Sequence, residues 1–333
     1  MVVSMRTSRT LPAVLVALFT VLTLLVAGCS SSGDDDAGGE RVVKTDQGDV
    51  TIPAAPKRVV LLNYALAGYL FDLDVPVVAM TPAVTDGEHE YDDAWADDAK
   101  KNDTQFLPWS NDGFDMETIL DADPDLIIAG GIGFPLKHAT TAYDRLSEIA
   151  PTVIVSGDLT EWRDQYKFLA DDVFGQPEKY TEAVEAYDRR AAEVRDKITV
   201  PAGESAFLTF TADGRAFVSI ENRGLPKEFA SLGFRPAPLF ATGKFEPYTE
   251  GGDSFALSTE QVGQVITQDT VFVLGFNADV TSVNELRKQP IYAALPAFGK
   301  NQAYDLPFWV QRSDYDEAMR MLDIVEQKFT DTK

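Results

Sequence analysis

Hydrophobic and polar residues alternate in blocks along most of the chain. Residues 125–129 and 152–155 are short, continuous apolar runs of the kind that form strands buried on both faces of a sheet. Residues 114–122 have helical spacing, with an N-cap at Asp115 and an end before Pro124. Strands that alternate with helices in this way are typical of a parallel α/β sheet.

The longest predicted helix covers residues 178–198. Its apolar residues recur every three or four positions and form one stripe, and the helix would be roughly 30 Å long. After Pro201 the alternation resumes, with a predicted hairpin of residues 205–211 and 216–220 and a buried strand at 270–275. We therefore interpret the long helix as a connector between two α/β lobes, which would enclose a ligand cleft.

The N-terminus has the pattern of a secretory signal peptide. Arg6 and Arg9 precede an apolar run over residues 11–27, which is too short for a comfortable membrane span. The run ends at Gly28-Cys29, which resembles the lipobox of bacterial lipoproteins. This resemblance implies a lipid on Cys29 and a position on the extracytoplasmic face of the bacterial cell membrane. A plain signal peptide with an incidental cysteine is the alternative.

The mature chain is predicted to have three parts after the anchor. With residues 1–28 as signal peptide, residues 29–40 are rich in Ser, Gly and Asp and are interpreted as a flexible tether. We then expect an N-terminal α/β lobe, a helical connector that contains the long helix, and a C-terminal α/β lobe, at residues 41–158, 159–203 and 204–333.

Composition and charge narrow the function. The chain has 29 Lys and Arg against 53 Asp and Glu, a net charge of −24, which argues against nucleic-acid binding. One cysteine excludes an internal disulfide framework. The sequence has no nucleophile elbow, phosphate-binding loop or dinucleotide fingerprint, so a binding protein is favoured over an enzyme. A lipid-anchored hydrolase that uses scattered carboxylates is the alternative from another class.

Several segments resemble the extracytoplasmic solute-binding proteins of ATP-driven importers for ferric siderophores, haem and cobalamin. The segments are residues 56–60, 120–128 and 146–153, Trp162, and residues 290–298, where Tyr292 replaces a usual Trp. The resemblance implies two Rossmann-like α/β lobes on a rigid backbone helix. It also implies a monomer without cofactor that captures a ferric siderophore and delivers it to the importer's permease, with haem or cobalamin as alternative ligands.

The same resemblance assigns a docking role to two glutamates. Glu117 in Asp-Met-Glu and Glu260 in Ser-Thr-Glu match the exposed acids through which the family contacts its permease, one on each lobe. The alternative is that each glutamate only stabilises the first turn of its own helix.

Flat aromatic rings and guanidinium groups are suited to a bulky, anionic iron complex. The candidates follow predicted strands or precede predicted helices, and are Tyr64, Trp109, Phe134, Arg223, Phe255, Trp309 and Arg312. For the aromatic residues the alternative is a place in the core. For the two arginines it is pairing with surface acids.

The two histidines are weighed separately. His138 with Tyr248 would imitate the iron ligands of haem-binding relatives, against the simpler interpretation of a solvated loop histidine. His89 lies in an acidic stretch, which is interpreted as a solvated loop because it lacks the fixed ligand spacing of a cation site. No metal bound directly by the protein is expected.

Overall fold

The computed structural model describes residues 39–84, 89–110, 112–211, 213–248, 252–276 and 281–330. The predicted signal peptide, Cys29 and all but the last two residues of the predicted tether lie outside these ranges. Within the described residues, no helix is both long enough and apolar enough to cross a membrane.

Strands and helices alternate as the sequence predicts. The described strands in chain order are β1 (Glu40–Thr45), β2 (Gly48–Pro53), β3 (Val59–Leu61), β4 (Val77–Met80), β5 (Gln105–Phe106), β6 (Trp109–Ser110), β7 (Gly113–Phe114), β8 (Leu126–Gly130), β9 (Thr152–Val155), β10 (Ser205–Phe210), β11 (Ala216–Ser219), β12 (Ser254–Leu257), β13 (Thr270–Gly275) and β14 (Ala303–Asp305). The described α-helices are α1 (Ala67–Asp72), α2 (Ala96–Lys101), α3 (Met116–Asp121), α4 (Phe134–Ile149), α5 (Trp162–Lys167), α6 (Pro177–Lys197), α7 (Gly224–Ser231), α8 (Thr259–Val265), α9 (Val283–Leu286), α10 (Pro290–Ala293), α11 (Pro296–Gly299) and α12 (Tyr315–Phe329).

The first half of the chain is built on a five-stranded parallel sheet in the order β5-β4-β3-β8-β9. Val59 pairs with Leu126, and Ile127 pairs with Thr152. Every residue of β3, β8 and β9 is buried. Burial on both faces explains why these strands are continuous apolar runs rather than alternating ones.

The second half contains a mixed five-stranded sheet in the order β12-β11-β10-β13-β14. The predicted hairpin is present, because β10 and β11 are antiparallel and Leu208 pairs with Val218. On its other side β10 runs parallel to β13, with Phe207 beside Phe272. The α/β class, with two five-stranded sheets, is therefore confirmed.

The long helix is observed as α6, within one residue of its predicted bounds. In the chain it lies between β9 of the first sheet and β10 of the second. Its buried face is formed by Ala183, Tyr187, Ala191 and Val194, which belong to the predicted stripe. Pro177 opens the helix at a position where its missing N–H costs nothing.

The C-terminal helix α12 packs along α6. Arg190 of α6 binds both Asp323 and Glu326 of α12, at 2.5 Å each. One continuous hydrophobic core includes Leu322 of α12 together with Leu61 of the first sheet and Phe272 of the second. The lobe boundaries at residues 41–158, 159–203 and 204–333 stay a prediction.

Candidate ligand-binding site

A cavity of about 230 Å³ lies where parallel strands of both sheets end. Its wall includes Tyr64 after β3, Phe134 after β8, Thr211 after β10 and Phe276 after β13. The carboxyl ends of parallel strands are the usual place for a ligand in α/β folds, because the loops that leave the sheet converge there. The cavity is therefore lined from both halves of the chain.

Asn63 fixes the loop that presents Tyr64. Its side-chain oxygen accepts a hydrogen bond from the backbone N–H of Ala65 at 3.1 Å. Its Nδ2 donates to the carbonyl oxygen of Gly130 at 2.7 Å. This buried side chain thereby ties the end of β3 to the end of β8, and the Tyr64 ring leans on Trp95.

The glycine-rich loop after β8 approaches its neighbours closely. Gly130, Gly131 and Gly133 all have positive φ values, of +94°, +82° and +83°, which residues with a β-carbon rarely adopt. A β-carbon on Gly133 would lie 2.8 Å from Nη1 of Arg312. Glycine at this point therefore allows a guanidinium from the second half of the chain to approach the backbone of the first.

Arg312 is held by a bidentate ion pair with Asp253. Its Nε and Nη2 donate to the two carboxylate oxygens at 2.9 and 3.1 Å. Burial alone would raise the pKa of Asp253, but the charge of Arg312 and its hydrogen bonds outweigh burial and lower that pKa. Both side chains line the cavity, so this part of the wall is charged but internally neutralised.

Trp309 forms an aromatic wall with a cation behind it. The guanidinium carbon of Arg320 lies 4.5 Å from the centre of the Trp309 ring, within cation–π range. Nη2 of Arg320 also donates to Asp92 at 2.7 Å. Asp92 lines the cavity, although it is separated from Arg320 by 228 positions in the chain.

A buried acid of α12 completes this side of the cavity. Glu317 and Asp314 form a capping box at the start of the helix, in which each carboxylate accepts a hydrogen bond from the other residue's backbone N–H. Burial, followed by the neighbouring carboxylates of Asp314 and Asp92, raises the pKa of Glu317 well above its usual value. Burial likewise raises the pKa of Asp314 to about 7.

The second sheet contributes a further aromatic wall. Phe217 of β11 packs edge-on against Tyr248, with ring centres 4.8 Å apart. Arg215 lies over the Phe217 ring and donates from Nε to Asp213 at 3.0 Å. Gln311 accepts a hydrogen bond from the Ser219 hydroxyl at 3.1 Å and lines the cavity beside these rings.

The structure brings together five of the residues singled out from the sequence. Tyr64, Phe134, Tyr248, Trp309 and Arg312 all line the cavity. Phe134 and Tyr248 are 40% and 49% exposed, which is unusual for large apolar side chains and leaves their rings accessible. Their role in binding a ligand stays a prediction.

Three predicted wall residues lie elsewhere. Phe255 is fully buried in the core of the second sheet, where it stacks on Phe245 with ring centres 4.5 Å apart. Trp109 packs beside Phe114, and its indole N–H donates to the carbonyl oxygen of Pro82. The guanidinium of Arg223 does not line the cavity, and its Nη1 donates to the carbonyl oxygen of Gly252 at 2.9 Å. Position next to a strand or helix end selected these residues, but it does not determine which way a side chain points.

One histidine differs from its expected surroundings and the other does not. His138 is on α4, not in a solvated loop, and is only 9% exposed among the rings of Trp109, Phe114 and Phe134. It is not part of the cavity wall, whereas Tyr248 is. His89 is exposed in a loop, as expected, and packs edge-on against Phe106. Among the described residues, no group of three or more His, Cys, Asp or Glu side chains is arranged to hold a metal ion.

Glu117 and Glu260 are exposed in the first turns of α3 and α8. The N-cap of α3 is Asp115, whose carboxylate accepts from the backbone N–H of Glu117 at 3.0 Å. The capping box of α8 joins Ser258 to Gln261. Neither helix therefore depends on its glutamate as the capping residue.

Sequence reasoning missed several wall residues, namely Asp92, Thr209, Thr211, Arg215, Phe217, Asp253, Phe308, Gln311 and Glu317. A signal existed for Thr209 and Thr211, because they stand at the carboxyl end of the predicted strand 205–211. The sequence has no signal for Asp92 and Glu317, because only the tertiary structure brings these two distant residues to the same cavity.

Comparison with known proteins decides the family. A family model described as periplasmic binding protein matches residues 59–309. The chain belongs to the periplasmic binding protein family. Members of this family are extracytoplasmic binding proteins of transport systems, and the resemblance identified from the sequence is confirmed.

The chain is also similar to individual binding proteins in sequence and in fold. The ferric enterobactin-binding periplasmic protein of Escherichia coli is 27% identical over 317 residues, covering 92% of this chain and 97% of that protein. An iron(3+)-hydroxamate-binding protein of Bacillus subtilis is 28% identical over 213 residues, 62% of each chain. The crystal structure of holo-ViuP superposes with a TM-score of 0.73 at 21% identity, covering 87% of this chain and 95% of the other, which shows a shared fold.

Proposed function

We propose that this protein captures a ferric siderophore outside the cytoplasm and delivers it to the permease of an ABC importer. The observation that carries the proposal is a cavity with aromatic walls from both halves of the chain, formed by Tyr64 and Phe134 on one side and Phe217 and Tyr248 on the other. The names of the relatives, which are binding proteins for ferric enterobactin and iron(3+)-hydroxamate, support an iron complex as the ligand.

The size of the cavity favours a ligand that is held partly at the mouth. Pockets that enclose a whole small ligand usually have volumes of about 300–1,000 Å³. A cavity of about 230 Å³ is smaller, so a bulky iron complex would insert one face between the aromatic rings and leave the rest at the opening. This arrangement suits a carrier, which must release its cargo intact.

Binding alone, without chemical conversion, is part of the proposal. The cavity carboxylates are committed to ion pairs or to helix capping, as with Asp253 and Glu317, and so do not form a nucleophile and base in contact. We further propose that Glu117 and Glu260 contact the permease, that a lipid on Cys29 anchors a monomeric protein, and that the lobes divide at the predicted boundaries.

A fluorescence titration of the purified protein with ferric siderophores tests the proposed function. We expect saturable quenching of tryptophan emission with a dissociation constant below about 1 μM for at least one ferric complex. The iron-free siderophore is the matched control and is expected to bind much more weakly. Absence of quenching by ferric complexes of every class, together with tight binding of haem, would replace this proposal with the haem alternative.

A further inference from the structure

The guanidinium groups that line the cavity are already neutralised by the protein. Arg312 donates two hydrogen bonds to Asp253, which is 6% exposed. Arg215 is paired with Asp213 at 3.0 Å. Each pair is neutral as a unit. Neither arginine is therefore an uncommitted positive charge of the kind that a strongly anionic ligand requires.

The opposite side of the cavity contributes no uncommitted positive charge. Asp92 and Glu317 both line it. The nearest cation to them is Arg320, which is paired with Asp92 at 2.7 Å and lies behind the Trp309 ring. Glu317 is 7% exposed and borders Asp314, so this side is neutral when Glu317 holds a proton and negative when it does not.

Arg223 and Lys137 lie beside the wall without lining it. Arg223 donates to the carbonyl oxygen of Gly252, next to Asp253, and the ammonium group of Lys137 lies 6.0 Å from the ring centre of Phe134. The internal segments outside the described ranges contain no lysine or arginine in their sequence. Among the described residues that line the cavity, the two arginines are matched by Asp253 and Asp213, so the lining itself has no excess of positive charge.

The charge of a ferric complex depends on its chelating groups. Each bidentate catecholate carries two negative charges, so three of them around iron(III) form a trianionic complex. Each bidentate hydroxamate carries one negative charge, so three of them form a neutral complex. We infer that this site selects neutral or cationic ferric complexes, of the trishydroxamate class, over trianionic triscatecholates. The inference rests on the proposed function and names the class of its cargo.

The physical reason is the cost of placing a strongly negative ligand in a cavity that has no free positive partner for it. A trianion seated against the Tyr64 and Trp309 rings would lose part of its hydration beside Asp92 and Glu317 without meeting an uncommitted cation. The paired arginines cannot compensate without giving up Asp253 or Asp213. A neutral complex meets no such penalty and still gains from the aromatic walls.

The inference is tested with two probes of similar size, a neutral ferric trishydroxamate and trianionic ferric enterobactin. We expect the purified protein to bind the neutral probe at least about tenfold more tightly, a difference of about 1.4 kcal/mol. Raising the salt concentration should strengthen binding of the trianion, because repulsion is screened, and leave the neutral probe almost unaffected. A trianion that binds as tightly as the neutral probe, or more tightly, overturns the inference.

A charge-neutralising variant adds a second measurement. Asp92→Asn removes a cavity carboxylate and releases Arg320, so the ratio of the two affinities should shift toward the trianion about threefold or more. Asp196→Asn, on the exposed face of α6, removes the same charge away from the cavity and should leave the ratio unchanged. Equal ratios in both variants and the parent contradict the charge argument. If neither probe binds, the inference fails, and if no ferric complex of any class binds, the proposed function fails as well. Tight binding of the trianion alone overturns only the inference.

Discussion

The guanidinium of Arg312 lies directly against the backbone of Gly133. The two residues belong to different halves of the chain, and a β-carbon on Gly133 would stand 2.8 Å from Nη1 of Arg312. Arg312 cannot move aside freely, because its other nitrogens are bound to Asp253. The width of the cavity at this point is therefore set by the absence of a side chain at residue 133.

Gly133→Ala is expected to disturb the cavity more than an equally strained substitution elsewhere. The variant combines the cost of a positive φ with a clash against Arg312, so we expect binding of the ferric ligand to weaken about tenfold. Gly214→Ala is the matched control, since Gly214 has a φ of +78° but no atom within 4 Å of its β-carbon position. Both variants are titrated with the ferric ligand. Equal affinities would show that the contact between residue 133 and Arg312 does not shape the site.

Trp309 should contribute to affinity through its ring surface. Trp309→Ala removes this wall and also the ring that Arg320 covers, so binding should weaken by about tenfold or more. Trp309→Phe keeps an aromatic face and should retain most of the affinity. Isothermal titration calorimetry of the two variants separates them. Similar losses in both would mean that the ring is not part of the ligand contact.

The Asp253–Arg312 pair should stabilise the folded state more than the exposed pair beside it. Asp253→Asn leaves a partly buried guanidinium without its charged partner and should cost about 3 kcal/mol of unfolding free energy. Asp213→Asn, at the exposed pair with Arg215, should have a much smaller effect, because solvent screens that pair. Denaturant unfolding measures both values, and equal costs would contradict the structural role.

The pH dependence of the Asp253 pair follows from the lowered pKa of its carboxylate. Because the folded-state pKa lies below the unfolded one, the stabilisation is present at neutral pH. It is lost only when the pH falls below the usual titration range of an aspartate. The difference in melting temperature between Asp253→Asn and its parent should therefore shrink in acid and persist at neutral pH.

Asp72 should have the opposite dependence. Burial, followed by the carboxylates of Asp316 and Asp314, raises its pKa to about 8. Between its usual pKa of about 4 and a pH of about 8, the unfolded chain loses the proton while the folded protein keeps it, so stability falls as the pH rises. Asp72→Asn should therefore raise the melting temperature by about 2 °C or more near pH 8, and by less near pH 5.

Asp74→Asn is the control for this variant. Asp74 is only two residues away, but its side chain is 73% exposed and pairs with Lys179 at the surface. Its substitution should change the melting temperature little at either pH. A gain for Asp72→Asn that is the same at both pH values would refute the raised pKa.

The proposed docking role of Glu117 and Glu260 predicts a separation of binding from transport. Reversing both charges, with Glu117→Lys and Glu260→Lys, should leave the affinity for the ferric ligand intact and abolish uptake of radiolabelled iron by cells. The control reverses two exposed charges on α6, with Glu178→Lys and Glu182→Lys, and should preserve uptake. Loss of ligand affinity in the docking variant, with transport of bound ligand retained, would show the assignment to be wrong.

Much of the fold could be predicted from the sequence because local signals determine it. The apolar stripe of α6 follows from the spacing of its residues. Asp115 caps α3 by accepting hydrogen bonds from the backbone N–H groups of Glu117 and Thr118, which lie two and three positions later. Buried parallel strands such as β8 are apolar throughout, so they stand out without an alignment. These signals depend on neighbours in the chain, which the sequence displays directly.

The site was predicted only in part. Tyr64 and Trp309 were identified because ligand-binding loops follow strand ends, and both line the cavity. Phe255 was selected by the same rule but points into the core. A loop position limits where a residue can be, whereas the direction of its side chain depends on packing against distant elements.

The sequence by itself determined the α/β alternation, the long helix, the acidic charge and the family. The tertiary structure alone decided which charges meet: Arg312 with Asp253 across 59 positions, and Asp92 with Arg320 across 228. The physical reason is range. Helix caps and hydrophobic periodicity act within a few residues, but the pairing of a buried charge is settled only when the whole chain has folded around it.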